Sequence, residues 1–383
     1  MTRKLLLVVG ARPNYMKAAP LLRAAPAHGL EVVLVHTGQH YDRELSTLIL
    51  EQLGMPEPAH KLEVGRGKPA LGQLAALLEA LPPVVAAERP DALVVVGDVT
   101  STLAGALVAA KAGSAPLPLA HVEAGLRSGD RGMPEELNRL LTDQLADLLL
   151  CSEPSGVQHL LREGRGPAGV LLVGNTMIDT LLHLRARARA LEAPRGLGLA
   201  PGGYGLITLH RPSNVDDPAR LGALLGALGE VARELPLVFP VHPRTRARLA
   251  GQALPAGLRL LEPQGYLSFV GLMEAARLVL TDSGGVQEET TVLGVPCVTL
   301  RANTERPITI EAGTNVLAGV EPEGVVRCAR AALTHPPRPT AGPPLWDGRA
   351  GERCMAALAG FLAGGPSEAS RRAAALGAIA ATG

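Results

Sequence analysis

The sequence predicts an α/β protein with two doubly wound parallel sheets that face a cleft. Short apolar runs of strand length alternate with longer segments rich in alanine and leucine, a pattern typical of βαβ units. Two such series follow one another along the chain, and its 383 residues are enough for two domains. Because ligands of open α/β sheets bind beyond the carboxyl ends of the strands, polar residues that follow strands are the candidate site residues.

The apolar runs place the strands of each half. In the first half we predict strands at Lys4–Val9, Glu31–His36, Ala92–Val96, Pro116–Ala120, Leu148–Cys151 and Gly169–Val173. In the second half we predict strands at Tyr204–Leu209, Leu237–Val241, Leu258–Leu261, Leu278–Thr281, Pro296–Leu300 and Asn315–Leu317. We therefore expect Rossmann-like domains at residues 1–174 and 175–360, and a C-terminal helix over residues 361–383 that packs back on the body.

The composition excludes several classes of protein. A balance of 37 basic against 36 acidic residues gives no overall field for nucleic acid or anionic lipid, and 2% aromatic residues leave little surface for base stacking. The four cysteines are widely separated, which disfavours a disulfide framework or a metal site and is typical of a reducing compartment. No run approaches the roughly 20 apolar residues of a membrane span. The sequence predicts a cytoplasmic enzyme.

Two cations follow the first predicted strand. Gly10 ends the strand, Pro13 suits a helix start, and Lys17 falls near the first helical turn. Arg12 and Lys17 could then meet an anion at a helix N-terminus, where backbone N–H groups already point outward. A turn with two solvated cations is the equally weighted alternative.

Three acids occupy comparable places in the first half. Asp98 directly follows a strand and is either a helix cap or a site residue. Glu123 stands next to a core strand, where a carboxylate is costly unless it pairs, for example with Arg127, or takes part in chemistry. Glu135 opens a helix, where the macrodipole alone explains an acid. These residues are candidate site residues, and the cap, the ion pair and the macrodipole are the respective structural alternatives.

The second half carries the strongest local signal. Ser283–Gly285 lies between a strand and a helix, and its two glycines let the backbone approach a phosphate closely. Glu288–Glu289 falls one turn later and could hold ribose hydroxyls, while Arg306 follows the next strand and could neutralise a diphosphate. His210 ends another strand and is a candidate because imidazole titrates near neutrality. A plain strand–turn–helix corner is the alternative.

Taken together, these segments carry a family resemblance. GARPNYMK, TGQHYD, GDVTST, HVEAGLRS, PEELNR, TLHR, DSGGVQEE and NTERP occur in matching order from Gly10 to about Arg306. The chain resembles the non-hydrolysing UDP-N-acetylglucosamine 2-epimerases, a family with the two-domain glycosyltransferase-B architecture. The resemblance implies elimination of UDP to 2-acetamidoglucal and readdition, without a cofactor or metal, in a cytoplasmic homodimer that serves polysaccharide biosynthesis.

The resemblance also implies roles for individual residues. It assigns acid/base work around the sugar C2 to Asp98, Glu123 and Glu135, and departure of UDP to His210. Implied substrate-binding residues are Arg12, Lys17, Gln264, Phe269, Ser283, Gly284, Gly285, Glu289 and Arg306. Gln39 and His40 resemble part of a site for an activating second copy of the substrate, whereas Lys61–Gln73 does not match the rest of that site.

Other readings of the sequence stay open. The family more often has Glu where Asn14 stands, and Arg-Glu-Asn where Pro212-Ser213-Asn214 follows His210-Arg211. One alternative is a 2-epimerase of a modified UDP-sugar, such as a 3-acetamido uronate, or a hydrolysing variant. Another is a glycosyltransferase of the same fold, since fold does not fix function. A non-catalytic nucleotide-sugar binder is the remaining alternative.

Overall fold

The computed structural model describes residues 2–38, 49–64, 67–113, 116–241, 243–337 and 341–364; for Arg12, Pro243 and Arg244 it describes the backbone alone. The chain forms two compact units. The first comprises Met1–Thr180 with Pro344–Gly383, and the second comprises Leu181–Pro343.

The first unit is built on a seven-stranded parallel sheet with strand order β3-β2-β1-β4-β5-β6-β7. Its strands are β1 (Arg3–Val9), β2 (Leu30–His36), β3 (His60–Lys61), β4 (Ala92–Val96), β5 (Leu119–Ala124), β6 (Leu148–Cys151) and β7 (Val170–Leu172). Its helices include α1 (Arg12–Ala24), α2 (Ala70–Glu88), α3 (Thr100–Ala110), α4 (Pro134–Leu145), α5 (Pro154–Arg162) and the first turns of α6 (Thr176–Ala190), with short 3-10 helices at Ala25–His28 and Pro167–Gly169.

The central strands of this sheet are largely apolar because helices cover both faces of a parallel sheet. Every residue of β4 is buried, as is the apolar run of β1 from Leu5 to Val9. Gly125 directly follows β5 with φ +82°, and a Cβ there would lie 2.3 Å from the carbonyl oxygen of Gly156. A side chain would therefore prevent the close approach of β5 to α5.

The second unit repeats the design with a six-stranded parallel sheet of order β10-β9-β8-β11-β12-β13. Its strands are β8 (Gly205–Thr208), β9 (Leu237–Pro240), β10 (Leu258–Leu261), β11 (Leu278–Thr281), β12 (Cys297–Thr299) and β13 (Asn315–Leu317). Its helices after α6 are α7 (Ala193–Gly196), α8 (Pro212–Val215), α9 (Pro218–Ala232), α10 (Pro243–Leu249), α11 (Tyr266–Glu274), α12 (Gly284–Leu293), α13 (Ile308–Glu311) and α14 (Pro322–Thr334). The predicted α/β class is confirmed.

Unit boundaries differ from the predicted domain boundaries. The chain passes from the first unit to the second after Thr180, inside α6. Residues 344–360, which were predicted in the second domain, belong to the first unit. The reason is helix α15 (Ala350–Leu362), which packs on α1 so closely that a Cβ on Gly351 would lie 2.7 Å from the carbonyl oxygen of Pro20. Most of the predicted C-terminal helix, residues 365–383, lies outside the described residues.

Helix α2 is long and apolar enough to cross a membrane by length and composition, with a mean hydropathy of 1.5. The sequence analysis predicted no such run. One helix of this kind is weak evidence for a membrane span, because the core helix of a globular sheet passes the same test. Leu77, Leu81 and Val84 on α2 are buried in the first unit.

Asp179 attaches α15 to α6 and makes the stability of the first unit dependent on pH. Its Oδ2 accepts the Gly351 N–H at 2.7 Å. Burial raises the pKa of Asp179 from 3.8 to about 6, even though hydrogen bonds from the Gly351 and Ala350 N–H groups and the charge of Arg353 oppose the shift. The folded protein therefore binds a proton that the unfolded chain releases between these pH values, so stability falls as pH rises through this window.

We expect Asp179→Asn to remove this dependence, which amounts to about 3 kcal/mol between pH 4 and pH 7. Urea unfolding followed by fluorescence measures it, because Trp346 is the only tryptophan and its indole N–H donates to the Ser152 carbonyl in the same unit. Asp347→Asn is the matched control. The pKa of Asp347 is lowered, since its bonds to Arg353 outweigh burial, so its contribution is instead lost on acidification. Identical pH profiles for wild type and Asp179→Asn would contradict the assignment.

Candidate active site

In the first unit, Lys17 and Glu123 meet at the carboxyl edge of the sheet. Lys17 lies one turn into α1 and Glu123 near the end of β5, and their Nζ and Oε1 atoms are 2.6 Å apart. Both side chains are buried, with 6% and 3% of their surfaces exposed. Gly97, at φ +67°, turns the chain beside them, and a Cβ there would lie 3.0 Å from Lys17 Nζ. A buried ion pair therefore lies at the carboxyl edge of the sheet, the edge at which open α/β sheets bind their ligands.

Glu123 is held in a backbone conformation that only its surroundings can maintain. Its φ is +71°, in the left-handed region that residues other than glycine rarely adopt. The register of β5 with β6 shifts between Val122 and Ala124, so Glu123 is the extra residue of a β-bulge. Bulges re-aim side chains and are frequent beside active sites, and such strain persists only where tertiary contacts impose it.

Asp98 directly follows Gly97 and pairs with Arg139 of α4. Its carbonyl oxygen accepts a hydrogen bond from Asn138 Nδ2 at 2.8 Å. The same guanidinium contacts Glu136 at 3.2 Å, which identifies Glu136 as a support for Arg139. Glu135, one residue earlier, is half-buried. Helix α4 thus carries both Glu135 and Arg139, the residue that pairs with Asp98.

A buried network fixes the turn that carries Asp98. His121 Nδ1 lies 2.6 Å from Asp143 Oδ1, and its Nε2 lies 2.7 Å from the carbonyl oxygen of Gly97. Both partner atoms are acceptors, so each contact is a hydrogen bond when the ring nitrogen that makes it carries a proton. Burial would raise the pKa of Asp143, but His121 and Arg127 outweigh it and hold the pKa below its ordinary value. Arg127 pairs with Asp143 and Glu163, so the alternative that Glu123 pairs with Arg127 is wrong.

In the second unit, His210 follows β8 and lies against Asp282, which follows the neighbouring strand β11. The distance from His210 Nδ1 to Asp282 Oδ1 is 2.9 Å. The Asp282 side chain is fully buried, whereas half of the His210 side chain is exposed. Asp282 was not among the residues that the sequence singled out, although it begins the DSGG segment.

Ser283 is the N-cap of α12, and its side chain makes no capping hydrogen bond. The first backbone N–H groups of the helix are therefore available to a ligand, where the helix dipole favours an anion. Gly284 lets other groups approach, since a Cβ there would lie 2.9 Å from Glu305 Oε1 and 3.4 Å from Arg306 Cζ. The geometry suits a phosphate group, as the two glycines predict.

The side chains beneath this helix end form a network of arginines and glutamates. Glu305 contacts Arg211 and Arg306 at 3.4 Å each and Arg301 at 2.8 Å. Arg306 also donates from Nε to Glu288 at 2.7 Å. Three guanidinium groups, those of Arg211, Arg301 and Arg306, therefore surround Glu305. Arg306 is 4% exposed, so it supports the helix end from within the unit.

Glu289 is a buried acid on the same helix. Tyr266 on α11 donates its hydroxyl to Glu289 Oε1 at 2.8 Å. Burial raises the pKa of Glu289 to about 7, and the adjacent charge of Glu288 adds to the shift, while the bond from Tyr266 opposes it. Gln264 and Phe269 lie on either side of the start of α11, both half-buried. Of the predicted second-half residues, Gln264 and Phe269 thus flank the start of α11, and Ser283–Gly285 and Glu289 lie in the first two turns of α12.

The side chains of three predicted site residues lie outside the part of the chain that the structure describes. Gln39 and His40 lie outside the described residues, and for Arg12 the structure gives the backbone position alone, at the start of α1. Within the described ranges, no group of three or more His, Cys, Asp and Glu side chains could hold a metal ion.

Two parallel α/β units of this topology define the two-domain architecture of the glycosyltransferase-B class. The family model described as UDP-N-acetylglucosamine 2-epimerase matches residues 23–359. The chain belongs to this family of epimerases, and the predicted resemblance is confirmed.

Relatives within the family carry two different names. The chain is 38% identical over 366 residues to the UDP-N-acetylglucosamine 2-epimerase of Methanocaldococcus jannaschii, covering 93% of this chain and 98% of the relative. It is 41% identical over 335 residues, 86% of this chain and 92% of the relative, to the UDP-2,3-diacetamido-2,3-dideoxy-D-glucuronate 2-epimerase of Pseudomonas aeruginosa.

Solved structures agree with this assignment. The M. jannaschii 2-epimerase in complex with UDP-GlcNAc and UDP matches with a TM-score of 0.84 at 37% identity, covering 93% of this chain and 99% of the other. The Neisseria meningitidis 2-epimerase bound to UDP-GlcNAc matches with a TM-score of 0.83 at 28% identity, covering 93% and 99%.

Proposed function

We propose that this epimerase interconverts UDP-N-acetylglucosamine and UDP-N-acetylmannosamine without net hydrolysis. The observation that carries the proposal is Glu123, a carboxylate held in a strained bulge and paired with Lys17 at the ligand-binding edge of a parallel sheet. Relatives that are named for this reaction, or bound to UDP-GlcNAc, supply the substrate class.

The chemistry explains why several carboxylates are needed. The hydrogen at C2 of the sugar is not acidic, because no carbonyl group is adjacent to it. Departure of UDP develops oxocarbenium character at C1, after which a base removes the C2 proton and leaves 2-acetamidoglucal. Readdition of UDP with proton delivery to the opposite face gives the epimer. Two acid/base groups are therefore required, and we assign this work to Asp98, Glu123 and Glu135.

In this proposal, residues of the second unit stabilise UDP as the leaving group. The N–H groups that follow Ser283, which its side chain does not cap, and the arginines that surround Glu305 suit a diphosphate. His210 assists departure of UDP. For the remaining contacts we retain Arg12, Lys17 and Arg306 for the nucleotide sugar, Gln264 and Phe269 for uridine, Glu289 for ribose, and Gln39 and His40 for an activating second substrate. No step requires a cofactor or metal.

A second candidate substrate is a 2,3-diacetamido uronate linked to UDP. The 41% identical relative named for that sugar favours it. Both substrates share the same reacting C1 and C2 centres and the same leaving group. The acid/base carboxylates would keep their roles, and only contacts to the sugar substituents would differ.

One experiment tests both candidates. The enzyme is incubated in D₂O with each UDP-sugar separately, and C2 is followed by proton NMR. We expect deuterium at C2 together with an intact UDP-linked manno epimer from the preferred sugar. Free N-acetylmannosamine with UDP would instead indicate a hydrolysing enzyme, and UDP release that depends on an added acceptor would indicate a glycosyltransferase.

We further propose a cytoplasmic homodimer that serves polysaccharide biosynthesis. All four cysteines are free, which fits a reducing compartment. The dimer and the pathway rest on the family resemblance.

A further inference from the structure

We propose that Asp282 is a positioning residue for His210: it holds Nδ1–H of the imidazole and directs Nε2, as the donor of a cationic ring, to the oxygen that leaves the sugar. This inference rests on the proposed function, in which His210 assists departure of UDP. It adds a residue to which no role has been assigned above.

The contacts of Asp282 leave His210 little rotational freedom. Asp282 accepts the backbone N–H groups of His210 at 3.1 Å and of Arg211 at 2.9 Å, in addition to the ring at 2.9 Å. Asn214 Nδ2 adds a further hydrogen bond at 3.2 Å. Main chain and side chain of His210 are thus anchored on one carboxylate that has no exposed surface.

These contacts also require Nδ1 of the ring to carry a proton. Burial would raise the pKa of Asp282, but the bonds from His210, Arg211 and Asn214 outweigh it and hold the pKa below its ordinary value. Asp282 is therefore a carboxylate, which can only accept hydrogen bonds. Nδ1 of His210 must be the donor, so Nε2 is the nitrogen left for a ligand.

The positions of His210 and Asp282 in the sheet bring this pair next to Ser283–Gly285, the segment that we propose binds the diphosphate. Strands β8 and β11 are neighbours in register, with Thr208 opposite Thr281, and their side-chain hydroxyls are 2.5 Å apart. His210 follows the first strand, and Asp282 precedes Ser283, the N-cap of α12. One buried carboxylate therefore joins the imidazole to the first residue of the helix end that suits a phosphate.

The pair has a defined part in the elimination step. The anomeric C–O bond breaks and leaves its electron pair on the diphosphate oxygen, the C2 proton passes to a carboxylate, and a C1=C2 bond forms. A protonated His210 donates from Nε2 to that oxygen as its charge develops, and Asp282 stabilises the imidazolium. A charge-assisted hydrogen bond of this kind is about twice as strong as a neutral one.

Nitrogen-15 NMR of the histidine side chains tests the geometry in the wild-type protein, with the His210 signals assigned by their loss in His210→Gln. We expect Nδ1 to be protonated. In Asp282→Asn, which removes the charge and can offer an amide N–H to the ring, we expect the proton to favour Nε2. For UDP-GlcNAc turnover we expect kcat to fall by about 10-fold or more while KM stays within about threefold.

Asn214→Ala is the matched control. It removes another hydrogen bond to the same carboxylate and leaves Nδ1 untouched, so the His210 signals should match those of wild type. An unprotonated Nδ1 in the wild type overturns the proposal, as does unchanged kcat in Asp282→Asn or a rise in KM that matches the fall in kcat. Failure of the proposed function is distinguishable, because a wild type that epimerises no UDP-sugar would still report the state of Nδ1.

Discussion

Replacing Glu123 by glutamine is expected to lower kcat by about 10²-fold or more, while the affinity for UDP stays within about threefold. Glutamine keeps the shape of the side chain but can neither accept the C2 proton nor return it. The strained φ of +71° at this position is imposed by the bulge in β5, so the backbone should remain in place. Turnover by coupled assay and UDP affinity by calorimetry measure the two effects separately.

Glu79→Gln serves as the matched control, because Glu79 is an exposed acid on α2 of the same unit. It should leave kcat within about twofold of wild type. Asp98→Asn is expected to act in the same direction as Glu123→Gln, since Asp98 follows β4, the strand that pairs with β5, and is held in place by Arg139. Near-normal turnover in both variants would remove these carboxylates from the catalytic list.

Much of the fold could be predicted because parallel strands must be apolar on both faces. The runs at Ala92–Val96, Leu148–Cys151, Leu258–Leu261 and Leu278–Thr281 are strands with the predicted bounds. Strand β5 was displaced: the prediction was Pro116–Ala120, but the strand is Leu119–Ala124. Its His and Glu are tolerated in a buried strand because partners distant in sequence compensate for them.

For the site, too, the contacts between residues distant in sequence could not be predicted from the sequence. Glu123 pairs with Lys17, more than a hundred residues earlier, and no local spacing indicates that contact. Asp282 likewise receives its hydrogen bonds from a segment around His210 on another strand. Local motifs could predict which positions end strands, but the pairing of charges depends on the strand order of each sheet.

Replacing Lys17 by methionine is expected to lower kcat by about 10²-fold and to destabilise the first unit by about 3–5 kcal/mol. The reason is the same for both effects. Lys17 Nζ lies 2.6 Å from a carboxylate that is 3% exposed, so its removal leaves Glu123 buried without that partner. The family resemblance assigns Lys17 to nucleotide-sugar binding, whereas its contact in the structure is with the proposed acid/base residue.

A double-mutant cycle separates these two roles. Removal of both charges in Lys17→Met/Glu123→Gln eliminates the buried carboxylate that has lost its contact with Lys17, so the double variant should be more stable than Lys17→Met alone. Urea unfolding reported by Trp346 measures the stability of this unit, and calorimetry measures UDP affinity. If Lys17→Met instead retains its stability and kcat but weakens UDP binding by 10-fold or so, Lys17 acts on the nucleotide and not through Glu123.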